Sequence, residues 1–233
     1  MRVHGVVVLV GGCDDLGLEM CRTIVGSHRV SRLYVACRNL DLAQELRAIE
    51  DPGKKLRIVE CDVTRDWSIQ NAVKLINCGK INCLILNTSS NQANGEDTVE
   101  KAKRDTWQRN FDVNVSSVSV LLKETLPLLK AALKENEVVT VASICSLSAS
   151  LRLPIQTKDV SFACSQAALH QLIRIFSTEN PRMTVVSIAA GFGLTIRTLH
   201  SVQIAREVLR VVDKVSEDQS GALIDHTGAR INF

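Results

Sequence analysis

The feature that most restricts the fold is an alternation repeated along the whole chain. Short β-rich runs are each followed by a longer stretch with helical spacing. Candidate strands cover residues 6–10, 33–36, 57–60, 83–86, 138–142, 184–188 and 222–224. Helical spacing covers 16–25, 41–50, 68–76, 107–133, 162–178 and 202–215. The strands are continuously apolar rather than alternating, the pattern of a parallel sheet with helices on both faces. Strand–helix alternation with right-handed crossovers predicts an α/β fold: a single-domain, Rossmann-type, doubly wound sheet of about seven strands over residues 1–233.

Composition agrees with one domain, since 233 residues at 45% hydrophobic content suffice for one large core. Net charge is +3, and no stretch concentrates Lys and Arg, so no nucleic-acid partner is expected. The apolar run at 6–10 is too short to span a membrane, and Gly11-Gly12 ends it where a leader would continue. The expected location is the cytoplasm. Eight cysteines stand singly at 13, 21, 37, 61, 78, 83, 145 and 164, without C-x-x-C pairs or zinc spacing. They predict free thiols in a reducing compartment and no metal.

In such sheets ligands bind beyond the carboxyl ends of the strands. After the first strand comes Gly11-Gly12-Cys13-Asp14-Asp15-Leu16-Gly17, leading into a helix. A glycine-rich turn at a helix N-terminus offers free N–H groups and a favourable dipole to an anion.

This segment resembles the T-G-x-x-x-G-x-G loop of the short-chain dehydrogenase/reductase family. Val10 stands at the threonine, Gly11 and Gly17 at the outer glycines, and Asp15 at the middle one. Further landmarks follow in order: Cys61-Asp62-Val63-Thr64, Asn87-Thr88-Ser89, Phe111-Asp112-Val113-Asn114, Ala142-Ser143 and Ala190-Gly191. The ending Ser220-Gly221-Ala222-Leu223-Ile224-Asp225 is similar to that of C-factor and sniffer-like carbonyl reductases. The resemblance implies NADP(H) as cofactor, held by Gly11, Gly17, Arg38, Asp62, Val63 and Asn87. Arg38 would meet the 2′-phosphate; read by itself, it is equally a solvated charge at a strand end. Asp14 and Asp15 oppose this cofactor. A carboxylate about 5 Å from a phosphate costs on the order of 3 kcal/mol at an effective dielectric of about 20. An acidic first turn also stabilises its own helix, so the chain would carry its own anion in the cradle.

The resemblance also locates the family's catalytic positions. A tyrosine protonates the substrate carbonyl, and a lysine four residues on lowers its pKa and holds the nicotinamide ribose. Here Ser161-Phe162-Ala163-Cys164-Ser165-Gln166 aligns without gaps, placing Phe162 at the tyrosine and Gln166 at the lysine. Phe has no proton to give, and Gln has no charge to shift a neighbour's pKa. Asn114 and Ser143 match the asparagine and serine. No substitute acid stands out: Tyr34 lies within a strand, Cys145 and Cys164 lack an activating neighbour, His170 is two turns away, and Lys158 reads as a loop residue. Residues 192–201 leave room for only a short substrate lid.

Two functions follow. The first is an inactive family member that binds a partner or senses a ligand. It would form a homodimer, or a heterodimer with a family relative, through helices 107–133 and 162–178. The second is an NADP(H)-dependent carbonyl reductase with another proton donor, such as water held by Asn114 and Ser143.

Overall fold

The structure, a computed structural model, describes residues 1–88, 91, 97–154, 159–191 and 199–233. Its strands are β1 (Gly5–Val10), β2 (Val30–Cys37), β3 (Leu56–Glu60), β4 (Cys83–Leu86), β5 (Thr140–Cys145), β6 (Thr184–Ala189), β7 (Leu223–Asp225) and β8 (Arg230–Ile231). They form one sheet in the order β3-β2-β1-β4-β5-β6-β7-β8, parallel except where β8 runs antiparallel to β7. The chain winds outward in one direction from β1 to β3, then returns to pair β4 on the other side of β1. That reversal places a crevice between the carboxyl ends of β1 and β4.

Side chains alternate across the sheet, and both faces are buried. Val7 and Leu9 of β1 join the core on one face, and Val6, Val8 and Val10 join the core on the other. This two-sided burial is why the strand carries no polar residue; each fully buried Val or Leu contributes about 1.5–3 kcal/mol. Helices α1 (Asp15–Val25) and α7 (Leu199–Lys214) cover the first face, joined by the single-turn α2 (Gln44–Arg47). The second face carries α3 (Asp66–Leu75), α5 (Ser117–Lys134) and α6 (Val160–Glu179), with α4 (Arg104–Phe111) packed against α6.

Four expectations need correction. The sheet has an eighth strand, the two-residue β8. The helix expected at 41–50 shrinks to a 3₁₀ turn at Leu40–Leu42 and the short α2, because Asp51-Pro52-Gly53 follows closely. The long helix expected at 107–133 is α4 and α5 joined by a π-helical turn, Asp112–Ser116. Finally, β5 begins two residues later and ends three later than expected. Val138 is 45% exposed, whereas Ile144 and Cys145 pair with Ile188 and Ala189. Residues 89–90, 92–96, 155–158 and 192–198, which include Lys158 and most of the expected lid, lie outside the described residues. Among the described residues no helix is long and apolar enough to cross a membrane.

Candidate functional site

At the carboxyl ends of β1–β4 lies a cleft of about 220 Å³, lined by Gly11, Arg38, Asp62, Val63, Asn87 and Val113 among others. Five of the six expected cofactor residues therefore line one cavity. The sixth, Gly17, sits behind the turn. Gly11 has φ +85°, and a Cβ there would lie 2.1 Å from the Asn87 carbonyl oxygen. A Cβ at Gly17 would lie 2.2 Å from the Gly11 carbonyl oxygen. Only glycine permits β1, β4 and α1 to converge this closely.

Asp14 is the N-cap of α1, and its Oδ1 accepts the Gly17 N–H at 2.6 Å. The Asn87 amide donates to the Gly11 carbonyl at 2.8 Å and to Asp14 Oδ1 and Oδ2 at 2.9 and 3.0 Å. Asp14 is exposed as a residue, but its carboxylate turns into the crevice. Burial pushes its carboxyl above the usual range, against the bonds from Gly17 and Asn87, and the charge of Asp15 adds to the rise. Asp15 opens the helix with its side chain exposed, so its Cβ meets no obstruction from the fold.

The far wall of the cleft is Asp62. Burial alone would raise its pKa, but the hydroxyl and backbone N–H of Thr64, at 2.7 and 3.1 Å, and Arg65 hold it below the usual range. Arg38, at the cleft mouth, is exposed and makes no hydrogen bond or ion pair with the described residues. One feature escaped sequence reasoning: the thiols of Cys13 and Cys37 are neighbours beside the glycine turn and perturb each other, Cys37 Sγ donating to the Asn39 carbonyl at 3.8 Å. Burial pushes the Cys37 thiol up to about 12. Their only signal in the sequence is that both follow a strand end.

The catalytic-position residues gather around α6. Asn114 lies fully buried in the π-helical turn and donates to Ser165 Oγ at 2.9 Å. One helical turn earlier, Asn110 donates to Ser161 Oγ at 2.8 Å. The buried Asp97 carboxylate accepts from the Ser161 backbone N–H at 2.8 Å and from its hydroxyl. A π-helical turn offsets the side-chain spacing by one residue, which aims Asn114 at α6. Gln166 is fully buried; its Oε1 accepts the Ser146 N–H at 2.9 Å, and its Nε2 has no partner. Phe162, one turn earlier, is half-buried. Ser143 lies within β5 rather than at its end, between Leu86 and Ser187, and its buried hydroxyl has no partner.

The other nucleophiles and bases are structural. Tyr34 is buried in β2, and its hydroxyl donates to Asn77 at 3.1 Å. His170 is buried with Nδ1 2.9 Å from Ser187 Oγ, its ring 4.7 Å from that of Phe233. Burial, with help from Arg174, lowers His170 to about 4. Cys145 is buried and its thiol pushed far up; Cys164 is exposed. Among the described residues no group of three or more His, Cys, Asp or Glu is placed to hold a metal ion.

Whether NADP(H) fits can be judged part by part. The adenosine side, with Asp62, Val63 and Arg38, has a formed cleft. At the diphosphate side, the Asp14 carboxylate accepts from the Gly17 N–H and shares the Asn87 amide with the Gly11 carbonyl. At the nicotinamide side, Gln166 faces the backbone after β5.

The sequence profile described as short chain dehydrogenase matches residues 5–203. A benzil reductase of Saccharomyces cerevisiae is 26% identical, the alignment covering 80% of this chain and 70% of that protein. An uncharacterised oxidoreductase of Schizosaccharomyces pombe is 24% identical over the same shares of the two chains. An NADPH-bound carbonyl reductase from chicken fatty liver superposes with TM-score 0.88 at 24% identity, covering 100% of both chains. The carbonyl reductase Sniffer of Drosophila melanogaster gives TM-score 0.88 at 19% identity, covering 99% and 100%. The match over most of the chain establishes that the protein belongs to the short-chain dehydrogenase family.

Proposed function

We propose that this family member does not reduce carbonyls and uses its crevice to bind a ligand. The observation that carries the reading is the pair Phe162 and Gln166. One side chain has no proton, and the other accepts a backbone N–H where the family supplies a cation. Loss of a positioned general acid alone lowers a rate by roughly 10²–10⁴. The test mixes the protein with NADPH and a panel of aldehydes, ketones and diketones, following loss of the reduced nicotinamide. No turnover above the enzyme-free rate is expected, and steady turnover by the natural sequence would overturn the reading.

Pairing with a second copy or a family relative belongs to the same proposal. Most of the apolar residues on the two long helices, including Leu121, Leu129, Leu169 and Ile173, face the chain's own core. Leu126 and Leu172 are only partly covered, and Ile175 is 47% exposed. Light scattering tests it, with a monomer as the contrary result. Free thiols, four of them buried besides Cys37, fit a reducing cytosol.

A second reading has one feature of the site in its favour: Ser143 keeps a hydroxyl that is buried and has no partner among the described residues. On that reading water supplies the proton and the protein is a reductase. The similarity to benzil and carbonyl reductases supports it, and the same turnover assay decides between the two.

A further inference from the structure

We propose that Cys13 and Cys37 form a reversible disulfide site, closed by exchange with a low-molecular-weight disulfide such as oxidised glutathione, which fastens the glycine turn to the end of β2. Such a bridge is independent of what the crevice binds.

The backbone brings the two residues together. Val10 is level with Ala36 where β1 and β2 pair, and neighbouring strands lie about 4.8 Å apart. Past that pair the turn folds back on β2: the N–H groups of Gly11 and Gly12 both point at the Ala36 carbonyl, at 3.0 and 3.4 Å. Cys13 follows Gly12 and Cys37 follows Ala36, and their thiols are neighbours. A disulfide needs Cβ atoms about 3.5–4.5 Å apart. Cys13 is exposed, so its side chain has room to turn toward Cys37. A third thiol, the fully buried Cys21, lies close by, its Sγ 3.4 Å from where a Cβ on Gly12 would stand. Among the described residues no His, Cys, Asp or Glu group of three or more is placed to hold a metal ion. The chemistry open to these thiols is with one another.

Exposure sets the order of events. Cys13 is exposed, whereas Cys37 is only 2% exposed. The Cys13 thiolate attacks one sulfur of oxidised glutathione: a Cys13–glutathione S–S bond forms, the original S–S bond breaks, and one glutathione thiolate leaves. The Cys37 thiolate then attacks the Cys13 sulfur and expels the second glutathione thiolate. Two protein thiols lose two electrons and two protons, and one oxidised glutathione becomes two reduced ones. Burial pushes Cys37 up to about 12 and raises Cys13, which makes each attack slow. The same shifts deny the reduced pair the thiolate stabilisation that makes a disulfide strongly oxidising. The bridge is slow to close and stable once closed.

The experiment incubates the natural protein with millimolar oxidised glutathione, quenches with acid and N-ethylmaleimide, and analyses unreduced tryptic peptides by mass spectrometry. A peptide pair joined through Cys13 and Cys37 is expected; fragmentation assigns the joint, because Cys13 and Cys21 share a tryptic peptide. Cys13→Ser should abolish the pair, and Cys21→Ala should leave it. The bridged protein should melt about 4 °C or more above the reduced one, since the link restricts the unfolded chain between residues 13 and 37. Dithiothreitol should reverse the rise. The melting temperature of each variant before oxidation checks that it folds. A mixed glutathione disulfide that persists on Cys13, a bridge to Cys21, or thiols that all stay reduced overturns the proposal. A bridge that forms only in urea, or a bridged protein that melts no higher, overturns it as well.

Discussion

The amide of Asn87 reaches 73 residues back along the chain to both carboxylate oxygens of Asp14, at 2.9 and 3.0 Å. It thereby ties the end of β4 to the first turn of α1. Because it also donates to the Gly11 carbonyl, one side chain fixes the strand end, the glycine turn and the helix cap together. Burial holds the Asp14 carboxyl above its usual range, so its ionisation is less favourable in the folded protein than in the unfolded chain. The raised value means that Asp14 supports folding most at acid pH and less as pH rises past that value.

Asp14→Asn and Asp14→Ala should therefore separate at neutral pH. The Asn variant keeps the cap without the charge and should melt no lower than the natural protein. The Ala variant loses the cap, about 1 kcal/mol, and should melt roughly 2–4 °C lower. Thermal unfolding followed by circular dichroism makes the comparison; equal losses in both variants would show that the charge itself stabilises.

Gln166 tests a buried polar contact. Truncation to Ala leaves the Ser146 N–H without its acceptor and opens space around a fully buried position. The expected loss is about 2–3 kcal/mol, seen as a melting temperature lower by roughly 4–10 °C. A change within about 1 °C would mean that water enters and replaces the contact.

Acid pH should weaken the fold through His170. Its folded value is about 4 against the usual 6.5. As pH falls from about 7 to about 5, the unfolded chain takes up a proton that the folded chain refuses. The stability that His170 contributes at neutral pH is progressively lost over that range, ~2 kcal/mol after partial solvent screening. His170→Asn keeps a partner for Ser187 and does not titrate. Urea unfolding at the two pH values should show a correspondingly smaller acid loss in the variant.

Cys13 should alkylate slowly for an exposed thiol. Burial raises its pKa, the neighbouring Cys37 side chain lowers it, and the Asp14 charge raises it again. Asp14→Asn removes the last of these and should speed iodoacetamide labelling of Cys13 by about two- to threefold. Peptide mass spectrometry over a time course reads the rate, and an unchanged rate would place the Asp14 charge out of reach of the thiol.

The strands at β1 and β4 were legible because both faces of the sheet are buried, leaving runs such as 6–10 and 83–86 without a polar interruption. β8 was not, since two residues carry no periodicity and its pairing depends on where β7 ends. The π-helical turn at Asp112–Ser116 stayed hidden because it displaces the helical pattern by only one residue. At the site, residue identities were legible and bonds were not. Gln166 meets Ser146 across 20 residues and Asn114 meets Ser165 across 51, separations at which local pattern says nothing about contact.

The paired bonds from Asn110 to Ser161 and from Asn114 to Ser165 repeat the same chemistry at the same spacing on both helices. Two identical rungs cannot by themselves set the alignment: a slide of one turn would still leave one rung joined. Asp97 removes the ambiguity, because it grips Ser161 through both its backbone N–H and its hydroxyl, and no other rung offers such a partner. One buried acid thus acts as a register key for α6. It keeps Phe162 and Gln166 fixed on α6 relative to α4 and the turn that follows it, whether or not any chemistry is done there.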